Sequence, residues 1–406
     1  MRCGLLGEKL GHSYSPQIHA ELADYEYKLY EKAPDEVEAF VREGDWHGLN
    51  VTIPYKKTVI PLCSELSDTA RAIGSVNTLL RRPDGTIFGD NTDAFGFETL
   101  LDRTVPGSIE GKKALVLGTG GASVTVCAVL RGRGAQVVPI SRSGEDNYEN
   151  LGRHADARLL VNATPVGMYP KNGVSPVELS AFPKLEAVLD VVYNPARTAL
   201  LMQAESRGIP CAGGLTMLVA QAKRSAEIYL GHTLPDSELA RITGKLSRSM
   251  QNIILIGMPG CGKSTVGRIL ARKLDRPCVE ADRELERAAD MRIPAIFERE
   301  GEAGFRRRET AILSELGKRS GIVLSTGGGC VTRSENYPLL HQNGVIVCLT
   351  RPLEKLAREG RPLSQNGDLK AMYERRRPLY EKFADYTVDN TGTPEETANA
   401  VLEALT

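Results

Sequence analysis

Residues 257–264 read GMPGCGKS, a glycine loop of the form G-x-x-x-x-G-K-[ST] set between the apolar run NIILI and the amphipathic stretch TVGRILARKL. The pattern demands a strand, a tight turn and a helix in that order. Only then do backbone N–H groups and the positive end of a helix converge on phosphate oxygens. The spacing predicts that Lys263 contacts β/γ-phosphates and that the Ser264 hydroxyl ligates Mg²⁺. Gly260, Cys261, Gly262 and Thr265 complete the expected nucleotide cradle. A nucleoside triphosphate is therefore the expected ligand; the loop alone does not say what is phosphorylated.

Short apolar runs recur along the whole chain: ALVLG at 114–118, AVLDVVY at 187–193, IILIG at 253–257, GIVLS at 321–325 and GVIVCL at 344–349. Amphipathic stretches separate them. Runs of this kind suit strands covered on both faces, which predicts parallel sheets flanked by helices and an α/β class. At 406 residues the chain exceeds one ordinary core. Breaks are expected near 104–112, at the GG of 213–214 and near 246–252.

Lys+Arg and Asp+Glu each number 51, so no net field draws nucleic acid or an anionic membrane. No apolar run approaches the roughly 18 residues of a membrane span. Eight scattered cysteines without a C-x-x-C pair read as thiols of a cytoplasmic protein, not as a zinc site or disulfide framework. The six histidines show no ligand spacing, and Trp46 reads as core packing. Small molecules are the expected partners, for a monomer or homodimer.

In the second half, CVEAD at 278–282 ends a strand pattern and puts Glu280 and Asp282 where ligand groups gather in open α/β sheets. EGEAGFRRRE at 300–309, STGGGCV at 325–331, REGRPL at 358–363 and RRRPLY at 375–380 follow. Their arginines, expected on surface or lid segments, suit bidentate contact with carboxylate or phosphate. With these motifs in order, residues 251–406 resemble shikimate kinase. The resemblance implies ATP and Mg²⁺, with Asp282 on the ring hydroxyls of shikimate and assisting deprotonation of the attacking one. It implies Arg306 and Arg376 on the substrate carboxylate, and backbone amides from Gly327, Gly328 and Gly329. It places Arg361 on the transferring phosphate and Arg358 on the adenine. Glu280 stands where the family usually has Asp, and would hold a Mg²⁺-bound water. Arg307, Arg308, Arg375 and Arg377 are expected to be solvated helix charges.

In the first half, KKALVLGTGGASVTVCAVLRGRGAQVVPISRS at 112–143 reads strand, glycine turn, helix, strand. A dinucleotide pyrophosphate is expected at Gly118, Gly120, Gly121 and Ala122. Arg142 occupies the place of the acid that binds the ribose 2′-OH of NAD, which favours NADP. Lys56, just past NVTIP, and Asp93, in GDNTDAFG, form a candidate proton-transfer pair.

S-x-S-P, N-V-T-I-P-x-K, V-N-T, D-N-T-D, GxGGA, N-A-T, Y-N-P and G-x-x-M-L-V-x-Q-A then appear in this order, and residues 1–246 resemble shikimate dehydrogenase. The resemblance makes Lys56 and Asp93 the catalytic pair and puts Ser13 and Ser15 on the substrate carboxylate. Asn50, Thr52, Asn77 and Gln221 would hold ring hydroxyls and carboxylate. Asn162, Thr164 and Met217 would line the cofactor side, with Tyr193 and Gly214 nearby. It implies a substrate subdomain of 1–105 and 214–246 and an NADP-binding, Rossmann-like subdomain of 106–213. A kinase-like P-loop domain with a parallel sheet follows at 251–406. One departure stands out: Ser143 to Asn162 is too short for one strand–helix unit of the family, and Gly144, Glu145 and Asp146 replace a second Arg. Acidic residues there oppose a 2′-phosphate.

The expectation is a bifunctional enzyme that reduces 3-dehydroshikimate to shikimate with NADPH and then phosphorylates shikimate with ATP. Two other readings of the first half stand beside it: a non-redox binding or regulatory module, and an NAD-preferring quinate/shikimate dehydrogenase.

Overall fold

The computed structural model describes every residue except His12, residues 357–368 and Thr406. It divides into two compact units. The first is Met1–Tyr193 with Thr198–Leu246, the second Asn194–Arg197 with Ser247–Thr406.

The first unit opens with β1 (Arg2–Gly7), α1 (Ser15–Leu22), β2 (Glu26–Glu31), α2 (Val37–Glu43), β3 (Gly48–Val51) and β4 (Glu65–Leu66). It continues with α3 (Asp68–Ile73), β5 (Thr78–Arg81), β6 (Ile87–Asp90) and α4 (Thr92–Thr104). The strands form one sheet in the order β2-β1-β3-β5-β6-β4. Unlike the parallel arrangement expected from the apolar runs, β5 lies antiparallel to both β3 and β6. The reason is local. Arg82–Thr86 makes a tight turn, with Gly85 at φ 83° and the Asp84 carboxylate accepting the Thr86 N–H at 2.9 Å. A hairpin needs no crossover helix.

A second sheet is built from β7 (Lys113–Leu117), β8 (Gln136–Ile140), β9 (Leu159–Asn162), β10 (Ala187–Asp190) and β11 (Cys211–Ala212). Its order is β11-β10-β9-β7-β8, parallel throughout. Helix α5 (Gly121–Gly132) joins β7 to β8, and α6 (Ala199–Ser206) joins β10 to β11. Between β8 and β9 there is only a 3-10 turn, Leu151–His154. The missing strand–helix unit leaves β8 as a sheet edge, where Pro139 is tolerated because its absent N–H faces no partner strand. Helices α7 (Leu215–Leu230) and α8 (Ser237–Met250) follow; α7 packs along α4.

The second unit carries β12 (Asn252–Ile256), α9 (Lys263–Leu274), β13 (Cys278–Glu280), α10 (Ala281–Ala289) and α11 (Ile293–Gly317). Then come β14 (Val323–Ser325), α12 (Asn336–His341), β15 (Gly344–Thr350), α13 (Leu369–Phe383), β16 (Tyr386–Asp389) and α14 (Pro394–Ala404). The sheet order is β13-β14-β12-β15-β16, all parallel. The order reverses at β12, so a crevice opens beyond its carboxyl end, where the glycine loop lies. α11 breaks at Gly301 (φ 67°, ψ −177°). Ile254, Leu255, Leu324 and Val347 are wholly buried among helix side chains, as strands covered on both faces require. No helix among the described residues is long and apolar enough to cross a membrane.

Candidate active sites

In the first unit the reactive pair is assembled from a loop and a helix start. Tyr55 is buried and its hydroxyl donates to the Lys32 carbonyl at 2.5 Å, while the Lys56 carbonyl accepts the Val76 N–H at 2.9 Å. The loop after β3 is thus pinned on both sides of Lys56. Asp93 lies in the first turn of α4, whose Thr92 N–H donates to Asn77 Oδ1 at 2.7 Å. Asn77 therefore caps the helix from outside it. The result is Lys56 Nζ to Asp93 Oδ2 at 2.5 Å, with side chains 18% and 14% exposed. Lys57 points to solvent.

Beside the pair runs a buried polar network. Tyr27 donates to Asn50 Oδ1 at 2.8 Å, and Asn50 Nδ2 donates to Ser225 Oγ at 2.8 Å. Ser225 Oγ also lies 3.0 Å from Thr92 Oγ1. Asn50 and Asn77 are 5% and 3% exposed; Asn50 spends its whole amide on this framework, while Asn77 gives it only Oδ1. Ser15, in the first turn of α1, is buried, and its N–H meets Ser13 Oγ at 3.2 Å. Gln221, one turn before Ser225 on α7, donates to the Leu218 carbonyl at 2.9 Å. Thr52 is half-buried and held by its N–H on the Leu6 carbonyl at 2.9 Å. His19 stacks on Tyr27 at 4.0 Å, and burial pulls its imidazole down to about 3.

On the nucleotide side, Gly118 takes φ 103°, open only to glycine without strain, and Gly120 precedes the first turn of α5. A methyl group on Gly120 or Gly121 would meet nothing within 4 Å. The turn is an open cradle of helix N-terminal amides, which fits a dinucleotide pyrophosphate. Asn162 differs from its expected role. It is fully buried; its Nδ2 donates to Asp190 at 3.0 Å and its Oδ1 accepts from Thr164 Oγ1 at 2.7 Å. It shapes the loop instead of facing a ligand. Met217 is likewise in the core, Tyr193 meets Tyr14 edge-on at 5.9 Å, and Gly214 lets α7 start against the Val191 carbonyl. Arg142 is exposed at the end of β8. Asp146, expected to oppose a 2′-phosphate, is drawn to His154 Nε2 at 2.8 Å.

The second unit holds a cleft of about 440 Å³ lined by Lys263, Ser264, Thr265, Asp282, Arg306 and Arg376, among others. Gly262, at φ 101°, starts α9, and Lys263 Nζ folds back on the Gly257 and Met258 carbonyls at 2.9 and 3.0 Å. The Lys263 and Ser264 amides that open α9 have no carbonyl partner among the described residues, as a triphosphate cradle requires, whereas the Thr265 N–H meets the Gly262 carbonyl at 3.0 Å. Gly260 lines the cleft as expected. Cys261 does not: its side chain is buried, and its N–H is spent on the Met258 carbonyl at 3.2 Å.

β13 stops at Glu280, so Asp282 sits in the first turn of α10 and not at a strand end. Burial raises its carboxyl above the usual range. Glu280 is turned away from the cleft, toward Arg268 at 3.0 Å and Arg283 at 3.7 Å. To hold a water on Mg²⁺ it would have to leave both. Oxygen donors that line the cleft include Ser264 and Asp282, with Thr265, Glu286, Glu309 and Thr326 also present; such hard donors suit Mg²⁺ beside phosphates. Arg306 and Arg376 are 7% and 5% exposed, not on the surface as expected. A methyl group on Gly327 would meet Glu309 Oε1 at 2.6 Å and Asp282 Oδ1 at 2.9 Å, which is why glycines floor this corner. Arg376 donates to the Gly328 carbonyl at 3.2 Å, and the Tyr380 hydroxyl donates to the same oxygen. Gly329 abuts the Arg306 guanidinium. Arg307, Arg375 and Arg377 are exposed, and Arg308 is half-exposed and pairs with Glu300 at 2.7 Å. Arg358 and Arg361 lie outside the described residues.

Three residues escaped the sequence reading. Glu309 anchors Arg306, and its signal was an acid three places on in RRRE. Asp190 is fully buried and gathers Asn162, the Val192 N–H and Thr198; its signal was an acid inside an apolar run. Asn390 donates to the Cys261 carbonyl at 2.5 Å from after β16, and nothing local marked it.

The sequence model described as shikimate kinase matches residues 259–406, and that described as shikimate dehydrogenase substrate binding domain matches residues 5–79. A shikimate dehydrogenase (NADP(+)) of Clostridium perfringens is 36% identical over 250 residues, 56% of this chain and 92% of the relative. A shikimate kinase of Burkholderia pseudomallei is 47% identical over 152 residues, 35% of this chain and 82% of the relative. The crystal structure of shikimate 5-dehydrogenase from Thermus thermophilus, in complex with NADP(H) and shikimate, matches with a TM-score of 0.55 and 31% identity, covering 60% of this chain and 99% of that one. A chorismate mutase/shikimate 5-dehydrogenase fusion protein from Clostridium acetobutylicum matches with a TM-score of 0.57 and 36% identity, over 60% and 96% of the two chains.

Proposed function

The chain belongs to the shikimate dehydrogenase family over its N-terminal part and to the shikimate kinase family over its C-terminal part, and from that premise we propose that it runs two consecutive reactions: NADPH-dependent reduction of 3-dehydroshikimate to shikimate, then transfer of a phosphoryl group from ATP to shikimate. The observation that carries this reading is the Lys56–Asp93 pair at 2.5 Å in the first unit. A binding module without redox turnover has no need of a lysine held ready beside a carboxylate.

When bound, the nicotinamide supplies the hydride. The chain supplies the rest. Lys56 gives a proton to the oxygen that was the ketone, and Asp93 orients Lys56 and a neighbouring substrate hydroxyl. Ser13 and Ser15 receive the carboxylate, with Thr52 and Gln221 at the ring. Asn50 acts chiefly by holding that wall rigid, and Asn77 holds it through Oδ1 and offers Nδ2 to the ring.

In the kinase unit, Arg306 and Arg376 hold the carboxylate of shikimate and Asp282 takes up the hydroxyl proton. Its raised carboxyl suits a group that accepts a proton late. Lys263 leaves its two carbonyls for phosphate oxygens, and Ser264 would hold Mg²⁺, which would neutralise phosphate charge. Subdomains of 1–105 with 214–246, and 106–213, remain the division we assign to the dehydrogenase.

The test is a one-pot assay of the full chain with 3-dehydroshikimate, NADPH, ATP and Mg²⁺, with products identified by mass. Shikimate 3-phosphate formed with equal loss of NADPH is the expected result. Unchanged 3-dehydroshikimate, with added shikimate still phosphorylated, would reduce the first unit to a binding module.

A further inference from the structure

Arg351 follows β15 directly and lines the same cleft as Lys263 and Thr265. Its Nε is closed to solvent and has no hydrogen-bond partner among the described residues. Its Nη1 comes within 3.9 Å of where a methyl group on Gly262 would stand, so the guanidinium reaches the turn that opens α9. Arg306 also has an Nε without a partner, but its guanidinium is anchored through Nη1 on Glu309, as Arg376 is on the Gly328 carbonyl and Arg276 on the Gln251 carbonyl; no side-chain acceptor among the described residues anchors Arg351 in that way. A guanidinium offers five donors and no acceptor, and a buried donor left unmatched costs its full desolvation. A missing acceptor is therefore the thing to look for.

Sheet order says which ligand brings it. Arg306 and Arg376 gather at Gly328 and Gly329, beyond β14 on one flank of β12. Arg351 stands on the other flank, beyond β15. It shares that flank with Asn390, whose Nδ2 lies 2.5 Å from the same point above Gly262. The substrate carboxylate is already served by two arginines on the β14 flank. What lies over the first turn of α9 is the phosphate chain of the nucleotide.

We propose that Arg351 binds the phosphate chain of the nucleotide from the β15 flank of the glycine loop. The proposal rests on the kinase reading of this unit. Arg351 is held by β15 and not by the loop motif, so it touches phosphates whose position does not change during transfer. Its contribution is made equally before and during the reaction, and shows in nucleotide affinity, not in turnover.

The experiment uses the full chain, with ADP binding by calorimetry and steady-state kinase rates against ATP and against shikimate. Arg351→Met should weaken ADP and raise the KM for ATP on the order of tenfold or more. The kcat and the KM for shikimate should stay within about twofold of wild type. Arg351→Lys should recover part of the loss, since it restores charge without the fork. The melting temperature should not fall, because the ligand-free protein loses a donor that has no partner among the described residues. Unchanged ADP affinity in Arg351→Met overturns the proposal, as does a rise confined to the KM for shikimate. A wild-type chain that binds no ADP would overturn the kinase reading as well, and is told apart by needing no variant.

Discussion

Arg306 Nη1 donates to Glu309 Oε2 at 2.6 Å, one turn apart on α11, and the two residues are 7% and 2% exposed. Arg306 also reaches Glu302 at 3.3 Å. Burial raises the Glu309 carboxyl while Arg306 opposes the rise. A buried arginine in a cleft needs such an anchor to keep its fork aimed. Glu309→Gln keeps the shape and removes the charge. The expected result is a KM for shikimate raised roughly tenfold, with a smaller fall in kcat and no change in dehydrogenase rate. Steady-state kinetics of both activities on one preparation check it, and an unchanged KM would leave Glu309 with a packing role only.

The two reactions should separate by mutation. Lys56→Met should cut reduction of 3-dehydroshikimate by about a hundredfold to ten-thousandfold and leave phosphorylation of shikimate intact. Lys263→Met should do the reverse. Coupled spectrophotometric assays read each rate alone. Loss of both activities in either variant would contradict independent chemistry.

Asp190 sets a pH dependence of stability. It is wholly buried, and desolvation pushes its carboxyl from 3.8 up to about 7 despite hydrogen bonds from Thr198, Val192 and Asn162. A raised acid holds its proton in the folded state after the unfolded chain has released it. Its stabilising contribution is therefore full below pH 3.8 and is lost as pH rises toward about 7. Asp190→Asn keeps an acceptor for Asn162 and Val192 and cannot titrate. Urea unfolding between about pH 5 and pH 8 should show wild type losing stability relative to the variant. A constant difference across that range would mean that Asp190 stays ionised.

Gly317 ends α11 where a methyl group would stand 1.9 Å from the Leu339 carbonyl. Backbone cannot yield as a flexible side chain does. Gly317→Ala should destabilise the kinase unit by about 1–3 kcal/mol and lower the temperature at which kinase activity is lost. Heat-inactivation curves for the two activities would test it, and an unshifted kinase curve would show that α12 moves aside freely.

The glycine loops illustrate how far local pattern reaches. GMPGCGKS and GTGGAS each lie where strand, turn and helix meet, because such turns are specified by the conformations glycine alone permits. The alternation of apolar runs foretold both all-parallel sheets. It missed the antiparallel β5, since a hairpin strand and a crossover strand look alike as apolar runs. The family motifs put Arg306 and Arg376 on the substrate carboxylate, but the pattern placed their segments on the surface or in a lid, because charge is normally solvated. Only packing showed that they are buried, with Glu309 and the Gly328 carbonyl as partners.

The sequence by itself determined the α/β class, the two nucleotide turns, the family motifs and the Lys56 and Asp93 candidates, all properties of residue type and short spacing. Tertiary structure alone decided that Asn77 caps the helix bearing Asp93, that Glu280 turns to Arg268, that Asn162 is spent on Asp190, and that Arg351, near Gly262, has an Nε without a partner among the described residues. Those relations join residues up to 89 positions apart, as 351 and 262 are. A hydrogen bond or an unmet donor is set by distance and burial in space, and no local pattern in the chain carries either.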